Sequence, residues 1–133
     1  MTQEITWLMY TLLLTTLMSM PYVVNRIVVR GQRAALYDPR GESEGSLSPW
    51  AQRLFNAHAN AVENLAIFAP AVLAVQVLGL SSPLTQMAAA VYFFARVGHV
   101  AAYAVHIPIA RTMAYTVAWM AQIAIVAHVL GWV

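Results

Sequence analysis

Four polar residues within one apolar segment, Arg53, Asn56, Asn60 and Glu63, are the strongest sign of chemistry in this sequence. Their offsets of 0, 3, 7 and 10 place them along one side of a helix. The surrounding segment is long and apolar enough to cross a bilayer, where ionisable groups are costly and by default mark a functional site. We therefore expect this helix to contribute to a binding or catalytic site.

Three further apolar segments carry polar residues at helical spacing. The third segment repeats the offsets 0, 3, 7 and 10 with Arg96, His99, Tyr103 and His106. The fourth and first segments carry similar stripes: Arg111, Tyr115, Trp119 and Gln122, and Arg26, Arg30 and Arg33. If these stripes converge, they form a cationic pocket rich in hydrogen-bonding groups.

Such a pocket suits a small anion with several polar groups. Arginine binds carboxylates in a bidentate manner, and Glu63 would accept a hydrogen bond from an ammonium group, so an amino acid or short peptide fits. Arg111 would stabilise a thiolate, because a nearby cation lowers the pKa of a thiol from about 8.5 toward neutral. The chain has no cysteine, so the thiol would come from the substrate.

Simpler interpretations apply to several of these residues. Arginines near helix ends often extend to the headgroups or only set topology, which applies to Arg26, Arg33 and Arg40. Glu63 and Arg96 would also suit a structural ion pair. Three histidines fit packing or interfacial positions better than ligand positions: His58, His106 and His128. No helix has histidine and glutamate at metal-ligand spacing, so a metal site is not expected.

Composition identifies the chain as a membrane protein. Of its 133 residues, 61% are hydrophobic and only 9% are charged, whereas soluble domains carry about 25% charged residues. The basic charge comes from seven arginines beside apolar segments, which argues against nucleic-acid binding. We predict an all-α, integral membrane four-helix bundle in a single domain, residues 1–133, with spans at about 5–30, 49–80, 83–106 and 108–132.

Local signals refine this prediction. We expect Pro21 to kink the first span, and Ser48 to cap a second span that begins at Pro49. Glu4 stands where a secretory signal has positive charge, so we expect the first span to be retained. The one long polar loop, at about 31–48, contains turn formers: Asp38, Pro39 and Gly41.

Arginine placement predicts the orientation of a multi-pass protein. Five arginines flank the first loop and Arg111 begins the last span, whereas none lies near the opposite side. The positive-inside rule then places the first and third loops in the cytoplasm and both termini outside it. In a bacterium the membrane would be the inner membrane.

Three motifs resemble one known family. The segment AHANAVENLAIF resembles the second-helix signature of the MAPEG proteins, the membrane-associated proteins in eicosanoid and glutathione metabolism. ARVGHVAAY and ARTMAYTVA resemble the third- and fourth-helix signatures, nearest to the membrane prostaglandin E synthase and microsomal glutathione transferase type. VVRGQRAALYDP also matches the loop of that type. The similarity covers most of the chain and keeps the order and spacing of the motifs.

The resemblance implies a homotrimer of four-helix bundles that binds glutathione between subunits near the cytoplasmic side. It implies that Arg111 stabilises the thiolate, with Thr112 as a candidate helper. The residues that would line the glutathione site by motif are Arg30, Asn60, Glu63, His99, Tyr103 and Tyr115. Arg96 matches an arginine of the third-helix motif.

Two positions depart from the family pattern. Asn56 stands where the family usually has an arginine, and Ala59 stands where the prostaglandin-synthase type has a second one. Arg53 lies on the same side of the helix, three residues before Asn56, and we hypothesise that it binds the same ligand carboxylate.

Three functions are therefore compared. The first is a membrane-bound glutathione transferase or peroxidase that acts on lipophilic electrophiles or hydroperoxides, with a role in detoxification. The second is a non-catalytic family member that binds lipid as a scaffold. The third, a small multidrug transporter, is disfavoured, because such proteins use a carboxylate within the first span and Glu4 lies at its outer end.

Overall fold

Four long helices make up the regular structure of the residues that the structure describes. The computed structural model describes residues 1–37 and 47–133, and these residues form α1 (Gln3–Tyr37), α2 (Pro49–Val77), α3 (Pro83–Ala104) and α4 (Pro108–Val129). Each helix is long and apolar enough to cross a membrane. The predicted all-α four-helix membrane bundle is confirmed. The turn formers Asp38, Pro39 and Gly41, and Arg40, lie outside the described residues.

Helices α2 and α3 form the centre of the bundle. They contact each other, and α1 and α4 each contact both; in the described part of the chain α1 does not contact α4. Small residues such as Ala57, Ala61 and Ala89 are buried where the helices meet, because small side chains let helices approach closely in a membrane. The rings of Phe68 and Tyr92 stack between α2 and α3, with centroids 3.7 Å apart.

One end of the bundle collects most of the positive charge. It comprises the last turns of α1, the first turns of α2 and the α3–α4 connection, and it carries Arg30, Arg33, Arg53 and Arg111. We call it the arginine end. The opposite end holds the two chain termini and the turn between α2 and α3.

Two polar contacts hold α1 against α2 toward the arginine end. The hydroxyl of Tyr22 is hydrogen-bonded to Nδ1 of His58 at 2.8 Å. The amide of Asn25 contacts Ser48 twice: Nδ2 donates to the Ser48 hydroxyl at 3.0 Å, and Oδ1 accepts from the Ser48 backbone N–H at 2.9 Å. Ser48 does occupy the N-cap position of α2, but its side chain makes no capping hydrogen bond to the helix.

Helices α2, α3 and α4 begin and end by the same rules. Each begins with proline, at Pro49, Pro83 and Pro108, because the missing N–H of proline is no loss in the first turn. Each ends in a turn that is closed by two backbone hydrogen bonds and contains one residue with the left-handed backbone conformation. Their ends therefore fall two or three residues before the predicted bounds, since those residues form the caps.

Helix α1 breaks where the predicted first span ends. Regular helix runs to Arg30, Gly31 is non-helical with φ 79° and ψ 158°, and a further helical stretch reaches Tyr37 within the predicted loop. Pro21, where a kink was expected, lies within helical backbone. The physical reason is steric: the backbone at Gly31 has a positive φ that residues with a Cβ rarely adopt. The last turns of α1 thus continue in a new direction beyond Gly31.

Glu4 is fully buried where α1 meets the start of α3. Its Oε1 accepts hydrogen bonds from the hydroxyls of Ser81 at 2.7 Å and Thr85 at 2.6 Å, and the exposed fraction of the residue is 0%. Thr85 also forms a capping box with Ser82. A negative charge at a helix N-terminus is favourable, so Glu4 fastens α1 to the start of α3.

We predict that Glu4→Ala lowers the free energy of unfolding by about 2 kcal/mol, because it removes two charge-assisted hydrogen bonds, one of them from the buried Thr85 hydroxyl. Thermal unfolding of the detergent-purified protein measures this change. Gln3→Ala, at the exposed neighbouring position, is the matched control and should unfold like the wild type. Equal unfolding midpoints for Glu4→Ala and the wild type would contradict the role assigned to Glu4.

Candidate functional site

A cleft opens at the arginine end between α2 and the α3–α4 connection. It encloses about 210 Å³ and is lined by Arg53, Asn56, Ala102, Tyr103, His106, Ile107, Pro108 and Arg111. Two of these residues are arginines and none is acidic. We call it the cationic cleft. Its composition favours an anionic ligand that also offers hydrogen-bonding groups.

Arg111 is held in the cleft by an aromatic ring. Its Cζ atom lies 4.7 Å from the centroid of the Tyr103 ring, a cation–π contact of about 1 kcal/mol. Tyr103 packs edge-on against His99, with ring centroids 5.1 Å apart. These contacts restrain the guanidinium before any ligand arrives, which lowers the entropic cost of binding.

Arg53 brings a second guanidinium to the cleft from the first turns of α2. Its Nε is buried and has no hydrogen-bond partner among the described residues. A buried donor without a partner costs free energy, and a bound anion would supply an acceptor. Asn56, one turn further along α2, lines the same cleft without adding charge.

His106 has an unusual backbone in the cleft wall. It follows the C-cap residue of α3 and has φ 59°, whereas the equivalent residues after α2 and α4 are Gly79 and Gly131. A side chain in this left-handed conformation costs roughly 1 kcal/mol relative to glycine. In return, His106 contributes a polar side chain to the cleft wall. The sequence placed His106 on the third polar stripe and favoured a packing or interfacial role; in the structure it is exposed and lines the cleft.

Asn60 and Arg96 meet directly behind the cleft. Nη1 of Arg96 donates to Oδ1 of Asn60 at 3.0 Å, and Arg96 is buried in the bundle with an exposed fraction of 2%. Glu63 is exposed on α2 and forms no ion pair with Arg96 in the described structure. The structural ion pair considered for these two residues is therefore absent within the chain.

An apolar groove of about 360 Å³ runs along α2 and α4 away from the arginine end. It begins at Tyr115 and is lined by Asn64, Ile67, Tyr115, Trp119, Gln122, Ile123, Val126, Ala127, Leu130 and Trp132. At its base, Nε2 of Gln122 donates to the backbone oxygen of Asn64 at 2.7 Å. The Tyr115 ring lies 6.4 Å from the His99 ring, so His99 lies between the groove and the cleft.

The structure brings some of the predicted site residues together and leaves others apart. Arg53, Tyr103 and Arg111 line one cleft, and His99 packs against Tyr103. Asn60 reaches the site region from α2, one turn after Asn56.

Six predicted residues do not line the cleft: Arg30, Asn60, Glu63, His99, Thr112 and Tyr115. Tyr115 lines the groove instead. Arg30 is half-buried on α1, and Glu63 is exposed. Thr112 is exposed and its hydroxyl donates to the backbone oxygen of Pro108 at 3.0 Å. Its only hydroxyl hydrogen is thereby engaged.

Comparison with known proteins identifies one family. Residues 5–131 match the family model described as the MAPEG family. No curated protein and no solved structure matches the chain. The match covers nearly all of the four helices.

The cap at His106 yields a test of stored strain. His106→Gly should raise the free energy of unfolding by about 1 kcal/mol, because glycine adopts a positive φ without steric cost. Gly79→Ala is the matched reverse change at the equivalent cap of α2, where open space surrounds the added Cβ, and it should lower stability by a similar amount. Thermal unfolding of both variants measures this. A destabilised His106→Gly protein would show that the side chain itself holds the turn.

Proposed function

The chain belongs to the MAPEG family of membrane proteins, and we propose that it is a membrane-bound glutathione-dependent transferase or peroxidase. The observation that carries this proposal is the cationic cleft, in which Arg53 and Arg111 face a space without acidic residues. Glutathione carries two carboxylates, one ammonium group and one thiol. The cleft therefore suits its charge.

The two arginines have different roles in this proposal. Arg53 binds a carboxylate of glutathione in place of the family arginine that is replaced by Asn56, and its unpartnered Nε gains an acceptor. Arg111 donates a charge-assisted hydrogen bond to the sulfur and lowers the thiol pKa, so that the thiol proton is released to water. Tyr103 keeps the guanidinium in place.

The chemical step follows from the thiolate. In conjugation, the sulfur forms a bond to an electrophilic carbon, and the leaving group departs with the electron pair of the broken bond. A hydroperoxide would instead be attacked at its terminal oxygen: the O–O bond breaks, and the alkoxide leaves and takes up a proton to become an alcohol. The resulting sulfenic acid of glutathione would react with a second glutathione to give the disulfide and water. Thr112 can accept a hydrogen bond from the thiol, but it can donate one only if its bond to Pro108 breaks.

The apolar groove beside Tyr115 is the proposed site of the lipophilic substrate. Its aliphatic and indole walls suit an apolar body. Tyr115 lies at the end of the groove nearest His99 and Tyr103, so a substrate there would present its reactive atom toward the thiolate. Lipophilic molecules concentrate in the bilayer, and the groove opens along membrane-spanning helices.

Assembly into a homotrimer is part of the proposal. Glu63 is exposed on α2 at a depth where a charge facing lipid is costly, and a neighbouring subunit or a ligand ammonium group would cover it. Arg30 then acts from α1 at the arginine end, which we place in the cytoplasm with both termini outside. A site shared between subunits would bring such residues to one ligand.

A non-catalytic lipid-binding member is the second candidate. Asn56 lines the cleft at the position where the family usually has an arginine, so the cleft has less positive charge. Binding of lipid in the groove without any turnover of glutathione would favour this candidate.

We predict that Arg53→Ala weakens glutathione binding about tenfold, because one charge-assisted hydrogen-bonded contact is lost. Isothermal titration of detergent-purified protein measures the Kd. Arg33→Ala is the matched control, since Arg33 is exposed and lies outside the cleft. Equal affinities of Arg53→Ala and the wild type would remove Arg53 from the site.

A separate prediction concerns Arg111→Ala. Conjugation of an aryl halide should fall at least a hundredfold, because the thiolate loses its cation and the thiol returns to a pKa of about 8.5. The absorbance of the glutathione thiolate, seen when glutathione is mixed with the wild type, should be absent in the variant. The elution volume of the variant in size-exclusion chromatography should match that of the wild type. Wild-type turnover in this variant would overturn the assigned mechanism.

A further inference from the structure

Arg96 is the most deeply buried arginine of the described residues, with an exposed fraction of 2%. Its Nη1 is bonded to Asn60, whereas its Nη2 is buried and unpartnered in the described part of the chain. Removing a guanidinium from water at membrane depth is costly, and one neutral acceptor does not offset that cost. Stability therefore does not explain why an arginine stands here.

The contact with Asn60 determines which way the asparagine amide faces. Every polar hydrogen of a guanidinium is a donor and it has no acceptor, so the atom that Arg96 contacts must be the amide oxygen. The amide nitrogen Nδ2 then faces away from α3. Without the arginine, the amide could rotate and present either atom in that direction.

The backbone of Asn60 is held as well. Nδ2 of Asn64 donates to the Asn60 backbone oxygen at 2.8 Å, and Gln122 in turn donates to the Asn64 backbone oxygen. Among the described residues, Nδ2 of Asn60 donates no hydrogen bond, and the side chain is partly exposed. Asn60 lies one turn after the cleft residue Asn56, on the same side of α2.

We infer that Arg96 is a positioning residue for ligand binding: it fixes the Asn60 amide so that Nδ2 donates to an acceptor oxygen of glutathione. The inference rests on the proposed function and adds to it a residue that does not touch the ligand. Arg96 is too buried for direct contact with a molecule in the cleft. Its effect on binding must therefore pass through Asn60.

A double-mutant cycle tests this dependence. Glutathione Kd is measured by titration for the wild type, Arg96→Met, Asn60→Ala and the double variant. Arg96→Met and Asn60→Ala should each weaken binding about tenfold, the effect of one hydrogen bond to a charged group. The double variant should bind no more weakly than Asn60→Ala alone, because Arg96 has nothing left to orient. Arg96→Lys, which keeps a donor, should recover part of the affinity.

Two further variants separate positioning from general damage. Asn60→Asp keeps an acceptor for Arg96 but replaces the Nδ2 donor with a carboxylate oxygen, so it should bind glutathione as poorly as Asn60→Ala. Tyr92→Phe is the matched control: it removes another buried, unpartnered polar atom one turn before Arg96, and the Kd should not change. Thermal unfolding should show Arg96→Met to be at least as stable as the wild type.

The outcomes distinguish the two proposals. If the wild type binds glutathione but the losses from Arg96→Met and Asn60→Ala add in the double variant, Arg96 acts independently of Asn60 and the inference is wrong. A marked loss of stability in Arg96→Met, with no rescue by Arg96→Lys, would also assign Arg96 a structural role only. If the wild type does not bind glutathione at all, the proposed function fails, and the positioning role fails with it.

Discussion

The absence of water within a bilayer is the constraint on which this structure depends. Polar groups at membrane depth favour partners inside the protein, and three buried polar residues here find them across pairs of helices. Glu4 joins α1 to the start of α3, Gln122 joins α4 to α2, and Arg96 joins α3 to Asn60 of α2. Each contact joins side chains or backbone of two different helices.

The positive charge follows the same constraint. Arginines are placed at one end of the bundle, where their side chains reach water or headgroups, and Arg96 is the exception among the described residues. At that end the cleft holds two guanidinium groups without a carboxylate beside them. Near water such charge is less costly than at membrane depth, and it is available to an anionic ligand.

Both the backbone of the α3–α4 turn and side-chain contacts hold the cleft in shape before a ligand binds. The cap at His106 sets the direction of the α3–α4 connection, with a residue that has a side chain where the other two caps have glycine. The same connection places Arg111 one turn into α4, over the ring of Tyr103. A short, strained turn therefore fixes both a cleft wall and the charge that we assign to catalysis.

The sequence by itself determined the helical class, the four spans and the clustering of arginine at one end, because hydropathy and helical period are local properties of the chain. It also identified the stripes that contain Arg53, Tyr103 and Arg111, and the family motifs.

Only the tertiary structure decided which stripe residues share a space. Because of the rotation of the helices and the geometry of their caps, Arg53 and His106 line the cleft. Glu63 is exposed, and Tyr115 lines the apolar groove. The burial of Glu4 and the pairing of Arg96 with Asn60 could not be predicted from the sequence either. Both depend on contacts between residues far apart in the chain, whose relative depth and rotation no local pattern specifies.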